Sequence, residues 1–240
     1  MSASPVGGAE LGAGGPFRLD HDAVLALGVR RSWAAGTTLF LEGEHSDYVL
    51  LLESGRVKVA SSAPTGRQVV LAIRGAGDLL GEFSAIDGRP RSATVTTISE
   101  VTAIQLSGAA FRRLLISDGA TTFALLCMVV ERLREADVHR LEFGVYLSQQ
   151  RIARLLLDYA ERYGQKGKLA GVTISIALSQ AELAQAVGAS REAVARTLKQ
   201  LRDRGVLRTA RRRIELLRPE LLRSLADAPP EPPEPGADGD

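Results

Sequence analysis

The hydrophobic period of this chain changes once, near Ser107. Before that point it consists of short apolar runs separated by turn residues. The runs are Thr37–Leu41, Tyr48–Leu52, Arg56–Ala60, Gln68–Ile73, Ala93–Thr97 and Val101–Leu106. Turn signals fall between them at Glu42-Gly43-Glu44, Ser54-Gly55, Pro64-Thr65-Gly66 and Gly75-Ala76-Gly77-Asp78. Many short strands at this spacing predict an antiparallel sandwich or barrel. Tyr48–Leu52 followed by Glu53-Ser54-Gly55-Arg56-Val57 reads as a hairpin.

After Ser107, itself placed as a helix N-cap, the spacing is helical. From Thr121 to Leu147, the residues Leu126, Val129, Leu133, Ala136, Arg140, Phe143 and Leu147 recur by threes and fours. This is a heptad seam, imperfect at Arg140. A helix of that span is about 40 Å long at ~1.5 Å per residue. It overhangs the small domain before it, so a dimerisation helix that also links two domains is expected rather than one packed on its own core. Gln149–Arg162 is a further amphipathic helix, Gly164–Gly171 a polar loop and Thr173–Ala177 a short strand.

Leu178–Asp203 then reads helix, glycine turn, helix. Ser179 with Glu182 is a capping-box pattern. Gly188 permits the turn, and Ser190 caps a second helix with Val194, Leu198 and Leu201 facing inward. Arg191, Glu192 and Arg196 lie off that apolar stripe, near the end that meets base edges in helix-turn-helix proteins. Arginine bridges guanine O6 and N7, and glutamate accepts from cytosine N4. Gly205-Val206-Leu207 and Ile214–Leu217 follow, with Arg208 and Arg211-Arg212-Arg213 between them. This predicts a two-stranded wing, and with it a DNA-binding winged helix-turn-helix.

Charge supports that division. The net charge of the 240 residues is +2, yet residues 151–225 carry 16 Lys and Arg against 7 Asp and Glu. That segment is strongly basic, as expected of a nucleic-acid-binding part. No run of 18 apolar residues occurs, so no membrane helix is expected, and the N-terminus has no secretory pattern. Cys127 is the only cysteine, which excludes an internal disulfide and all-cysteine iron–sulfur ligation within one chain. A cytoplasmic protein is expected. His21, His45 and His139 are scattered and read as ordinary surface or packing residues, so no metal site is expected. No catalytic triad, metal cluster or phosphate-transfer loop is visible, so the chain is not expected to be an enzyme.

The segment Leu80–Thr96 carries further chemistry. Gly81-Glu82-Phe83-Ser84 offers small residues, backbone N–H groups and one carboxylate, and Arg91-Ser92-Ala93 adds a guanidinium and a hydroxyl. A phosphate wants N–H donors, a hydroxyl and a guanidinium fork; a ribose wants a carboxylate. From spacing alone, a glycine turn between strands with a solvated arginine fits as well.

The order β-rich domain, long helix, winged helix-turn-helix, with GEFSAIDGRPRSATV and the helix ASREAVARTLKQL, resembles the CRP/FNR family of bacterial transcription regulators over about residues 19–225. The resemblance implies an α+β chain. Residues 1–16, expected from their Gly/Ala-rich composition to be disordered, precede a cyclic-nucleotide-binding β jelly roll at 17–120. A dimerisation helix at 121–147, a winged helix-turn-helix at 148–226 and a disordered acidic, proline-rich tail at 227–240 follow. Carried over by position, Glu82 accepts from the ribose 2′-hydroxyl. Gly81, Phe83, Ser84 and Ala93 border sugar and phosphate, Arg91 pairs with the cyclic phosphate and Ser92 donates to it. Arg132 helps hold the nucleotide. Arg191, Glu192 and Arg196 read bases, while Ser179, Gln180, Ser190 and Lys199 contact DNA phosphates at palindromic sites with GTG- or GTGA-like halves. Arg91→Leu is then expected to abolish nucleotide binding and leave the fold intact.

One departure concerns the base. Cyclic-AMP receptors place a threonine and a serine or asparagine against adenine where this chain has Ala136 and Asp137. Alanine offers no hydrogen bond, and ionised aspartate only accepts. Cyclic AMP is the expected ligand, with cyclic GMP, another nucleotide or a vestigial pocket in a constitutive regulator as alternatives. Double-stranded DNA, a second copy of the chain and RNA polymerase are the expected partners.

Overall fold

The computed structural model describes residues 21–63, 66, 68–166, 171–175, 178–210 and 213–228. They fall into two compact units, one of residues up to 65 with 71–131, the other of 66–70 with 132–240. Expectations for residues 1–16, most of the tail and Arg211-Arg212 lie outside the described residues.

The first unit begins with α1 (His21–Leu27) and β1 (Val29–Trp33). It continues through β2 (Thr38–Phe40), β3 (Tyr48–Ser54), β4 (Arg56–Ser62), β5 (Gln68–Gly75), β6 (Leu79–Leu80) and α2 (Glu82–Asp87). β7 (Thr94–Thr97), β8 (Val101–Ser107) and α3 (Gly108–Ser117) follow, and α4 (Gly119–Val145) begins there, its residues from 132 on belonging to the second unit. Two four-stranded sheets form, ordered β1-β8-β3-β6 and β2-β7-β4-β5. This is a sandwich, one of the two forms expected from the strand spacing, and it accords with the jelly roll that the resemblance implies.

β3 explains the layering. Its Val49, Leu50, Leu51 and Leu52 are all buried. Side chains alternate along a strand, so Leu50 and Leu52 join Leu39, Phe40, Val57 and Val95 between the sheets. Val49 and Leu51 join Ile104, Leu106, Phe111, Leu114 and Leu125 under the helices. Each such leucine stabilises the unit by about 1.5–3 kcal/mol.

The expected hairpin at Ser54-Gly55 is not one. β3 pairs with β8 and β6, whereas β4 lies in the other sheet between β7 and β5. With β8 on one edge of β3 and β6 on the other, no edge is left for β4, so the chain turns a corner between sheets. Gly55 makes the corner with φ +80, and a Cβ there would meet the Glu100 carbonyl oxygen at 2.0 Å.

Ser107 caps α3 as expected, accepting from the Ala110 N–H. α4 spans 27 residues, of which only Thr121 and Leu125 are buried. Of the seam residues, Val129 packs on the core beneath α3, while Leu126, Leu133 and Phe143 are exposed. Leu147 lies beyond the helix, as the N-cap of the next one.

The second unit contains α5 (Ser148–Tyr163), β9 (Gly164–Lys166), β10 (Val172–Ile174), α6 (Gln180–Ala186), α7 (Arg191–Asp203), β11 (Leu207–Ala210), β12 (Arg213–Leu216) and α8 (Pro219–Ala226). The predicted loop at Gly164–Gly171 begins as a strand instead, because Gln165 and Lys166 pair with Thr173 and Val172. The wing strands are antiparallel, Leu207 opposite Leu216, in a sheet ordered β11-β12-β10-β9. No single helix among the described residues is long and apolar enough to cross a membrane.

Candidate functional site

In the first unit, Gly81 and Gly88 bracket α2 in the left-handed conformation, φ 81 and 71. At Gly81 glycine is required twice over. A side chain would be strained, and its Cβ would lie 2.5 Å from Arg91 Nη1 and 3.0 Å from the Tyr48 carbonyl oxygen. α2 turns Glu82, Ser84 and Ala85 inward and leaves Phe83 and Ile86 exposed.

Arg91 is the centre of this region and is only 3% exposed. Its Nε donates to Ser46 Oγ at 2.7 Å, Nη1 to the Gly81 carbonyl at 3.0 Å and Nη2 to the Tyr48 carbonyl at 2.7 Å. Its guanidinium carbon lies 3.8 Å from the Phe40 ring centre and 5.0 Å from that of Tyr48. Burial pulls its pKa down, opposed by the fields of Tyr48, Asp47 and Glu82; arginine stays cationic regardless. The structure thus joins Gly81 to Arg91 and buries Glu82, Ser84 and Ala93, while Phe83 and Ser92 face solvent. Three of the five N–H donors of a guanidinium already have protein acceptors. Arg132 is half-buried, and Ala136 and Asp137 are exposed. All three lie on the stretch of α4 assigned to the second unit, and Asp137 Oδ1 is 3.4 Å from Arg140 Nη1.

Sequence reasoning missed the acceptors of Arg91. Ser46 and Tyr48 are 45 and 43 residues away, and no local pattern marks them. It also missed Asp47 and Arg112. Their fork, Nη1 to Oδ1 and Nη2 to Oδ2, is 3.0 Å in both arms, and it lowers the Asp47 pKa.

In the second unit, Ser179 and Glu182 form the expected reciprocal cap, Glu182 N–H to Ser179 Oγ at 3.2 Å and Ser179 N–H to Glu182 Oε2 at 2.8 Å. The Ser179 hydroxyl also donates to Glu182 Oε2, so its proton is committed within the protein. Ser190 caps α7 by accepting from the Ala193 N–H at 3.1 Å. Val194, Leu198 and Leu201 are buried, which leaves Arg191, Glu192, Arg196 and Lys199 exposed on the other side of α7, with Gln180 exposed on α6. The Glu192 pKa is lowered by its own backbone N–H and the Ser190 hydroxyl, so its carboxylate accepts. Lys199 reaches Asp203 at 2.7 Å. Arg208 and Arg213 are exposed on the wing.

The turn between α6 and α7 is held from α4 and α5. Gly188 has φ +58, and a Cβ there would come within 2.3 Å of the Phe143 ring. Arg151 Nε donates to the Val187 carbonyl at 2.8 Å, and its guanidinium carbon lies 5.3 Å from the Phe143 ring centre.

Two family models match, a cyclic nucleotide-binding domain over residues 30–118 and a Crp-like helix-turn-helix domain over residues 150–225. A CRP-like cAMP-activated global transcriptional regulator of Mycobacterium tuberculosis is 37% identical over 174 residues, covering 72% of this chain and 77% of the relative. A cyclic AMP receptor protein of Thermus thermophilus is 27% identical over 205 residues, covering 85% and 91%. FixK2 from Bradyrhizobium japonicum shares the fold with a TM-score of 0.74 at 23% identity, covering 84% of this chain and 98% of that one. Fold and site together define a DNA-binding transcription regulator with a cyclic-nucleotide-type sensory domain. The chain belongs to the CRP/FNR family, which is one of regulators rather than enzymes.

Proposed function

We propose that the protein is a cytoplasmic homodimer whose affinity for palindromic operators with GTG- or GTGA-like halves is set by a cyclic nucleotide, cyclic AMP first and cyclic GMP second. The observation that carries this reading is that Glu82 and Arg91 are both buried and that Arg91 Nη1 donates to the carbonyl of Gly81, the residue just before Glu82. One group suits a ribose hydroxyl and the other a phosphate. Relatives named as cAMP-activated support the choice of ligand. Gly81, Phe83, Ser84, Ser92 and Ala93 border sugar and phosphate, and Arg132 joins them. Ala136 and Asp137 meet the base, where the acceptor-only carboxylate of Asp137 suits an amino group.

The exposed Leu126 and Leu133 on α4 supply the dimer seam. Arg191, Glu192 and Arg196 read base edges, while Gln180, Ser190 and Lys199 meet phosphates, with Ser179 contributing through its position at the α6 cap. RNA polymerase is the partner through which bound regulator acts. The ligand biases the dimer only by its difference in affinity for two forms.

One observation favours a second reading, a constitutive regulator with a vestigial pocket: the Arg91 donors already rest on Ser46, Gly81 and Tyr48. Calorimetry with cyclic AMP and cyclic GMP, followed by operator selection with and without each nucleotide, separates the two. Binding that changes operator affinity supports nucleotide control, whereas no binding of either nucleotide supports the constitutive reading.

A further inference from the structure

Two arginines close a ring of hydrogen bonds in the first unit. Arg91 joins the Gly81 carbonyl, at the head of α2, to Ser46 and Tyr48. Arg112, on α3, joins the Ala85 carbonyl within α2 to the Asp47 carboxylate, by a 2.6 Å bond on one side and the fork on the other. Asp47 is the residue between the two that Arg91 holds. α2 and the 46–48 segment are therefore cross-linked twice, once by each guanidinium.

The ring is anchored to α3 at a third point. The Gly108 N–H donates to the Asp47 carbonyl at 2.9 Å. A Cβ on Gly108 would overlap Asp47 Oδ1 at 1.7 Å, so the carboxylate sits flush against the start of α3. From the end of α3, Asp118 caps α4 through the N–H groups of Ala120 and Thr121.

By itself the pair adds little stability. The Arg112 and Asp47 side chains are 42% and 55% exposed, and ion pairs so open to water are screened and contribute little. What the arrangement does supply is direction. A planar fork fixes both partners' orientation, and the third bond fixes the α2 carbonyl relative to both.

We propose that Arg112 is a positioning residue that couples the state of Arg91 to α3 and the start of α4. Any exchange of acceptors on Arg91 shifts Ser46. Asp47 follows it in the chain and turns with it, and Arg112 carries that turn to α3 and α2 together. The functional arm of this inference rests on the nucleotide reading above; the structural arm does not.

The test uses the full-length protein with Arg112→Met, Arg112→Lys, Asp47→Asn and, as a control on the same helix, Arg113→Met. Hydrogen exchange is followed without nucleotide. Arg112→Met and Asp47→Asn are expected to speed exchange at least tenfold in α2 and the 44–48 segment, with the urea midpoint nearly unchanged and Arg113→Met silent. The Asp47→Asn/Arg112→Met double variant should match either single one. Arg112→Lys keeps the charge but not the fork, and should restore little. Unchanged exchange in α2, or exchange that rises evenly through the unit with a falling midpoint, overturns the proposal.

The second arm measures operator affinity with and without cyclic AMP. The ratio should collapse to within twofold of one in Arg112→Met while cyclic AMP still binds. A wild-type ratio retained in Arg112→Met overturns the coupling role. If wild type binds no nucleotide, the ligand reading falls and the exchange arm alone decides the proposal.

Discussion

Replacing Arg91 by leucine should damage the fold and not merely the ligand contact. The side chain is 3% exposed and makes three hydrogen bonds from a charged donor. Each bond involving a charged group contributes roughly 1.5–3 kcal/mol net, and a buried acceptor left unpaired costs about 1–3 kcal/mol. The stacking on Phe40 adds about 0.5–2 kcal/mol. Relief from burying a charge and the apolar leucine offset part of this. We expect a loss of about 3–5 kcal/mol, a large share of the ~5–15 kcal/mol that holds a typical domain together.

Trp33 is the only tryptophan and packs against the inter-sheet core. Its fluorescence therefore reports urea unfolding of the first unit, measured at fixed protein concentration. A loss below about 1 kcal/mol would show that Arg91 is not a structural strut. The expectation that Arg91→Leu leaves the fold intact does not follow once its acceptors are seen.

Three further outcomes are expected. Glu192→Ala should relax discrimination at one G·C pair by about 1–3 kcal/mol; an unchanged binding-site logo from operator selection would remove Glu192 from base reading. Gly188→Ala should destabilise the second unit by about 1–2 kcal/mol for the left-handed backbone, and more where the Phe143 ring cannot retreat; thermal unfolding equal to wild type would refute it. The His21 pKa is raised above 6.5, chiefly by its bond to Glu53 and then by Asp22. Its contribution to holding α1 is therefore full below 6.5 and fades as pH rises through the raised value. Glu53, held by Arg30 and His21, is lowered from 4.5 to about 2, so its contribution is present above 4.5 and fades toward pH 2. Proton NMR titration of the His21 ring checks the first sign, and a midpoint at or below 6.5 contradicts it.

What could be read ahead of the structure follows from how local each signal is. The caps at Ser107, Ser179 and Ser190 are contacts across three residues, so their partners stand in the same stretch of chain. β3 and β8 announce themselves by apolar runs. β1 does not, because Val29, Arg30, Arg31 and Ser32 are all exposed; the strand exists through backbone pairing with β8. The Ser54-Gly55 turn carries a hairpin's residues, but sheet membership is decided by partners far along the chain. The cassette shows the same division. Its glycines and carboxylate were legible, whereas Ser46, Tyr48 and Phe40, which fill the space around Arg91, reach it only through the sandwich.

The double-sided burial of β3 also divides the partners of Arg91 into a still one and a movable one. Tyr48 is its first residue, and the four that follow are sealed on both faces. The bond from Arg91 Nη2 therefore ends on a strand expected to be among the last to open. That carbonyl is thus a fixed acceptor, whereas Ser46, just outside the strand, is the partner of Arg91 with freedom to shift.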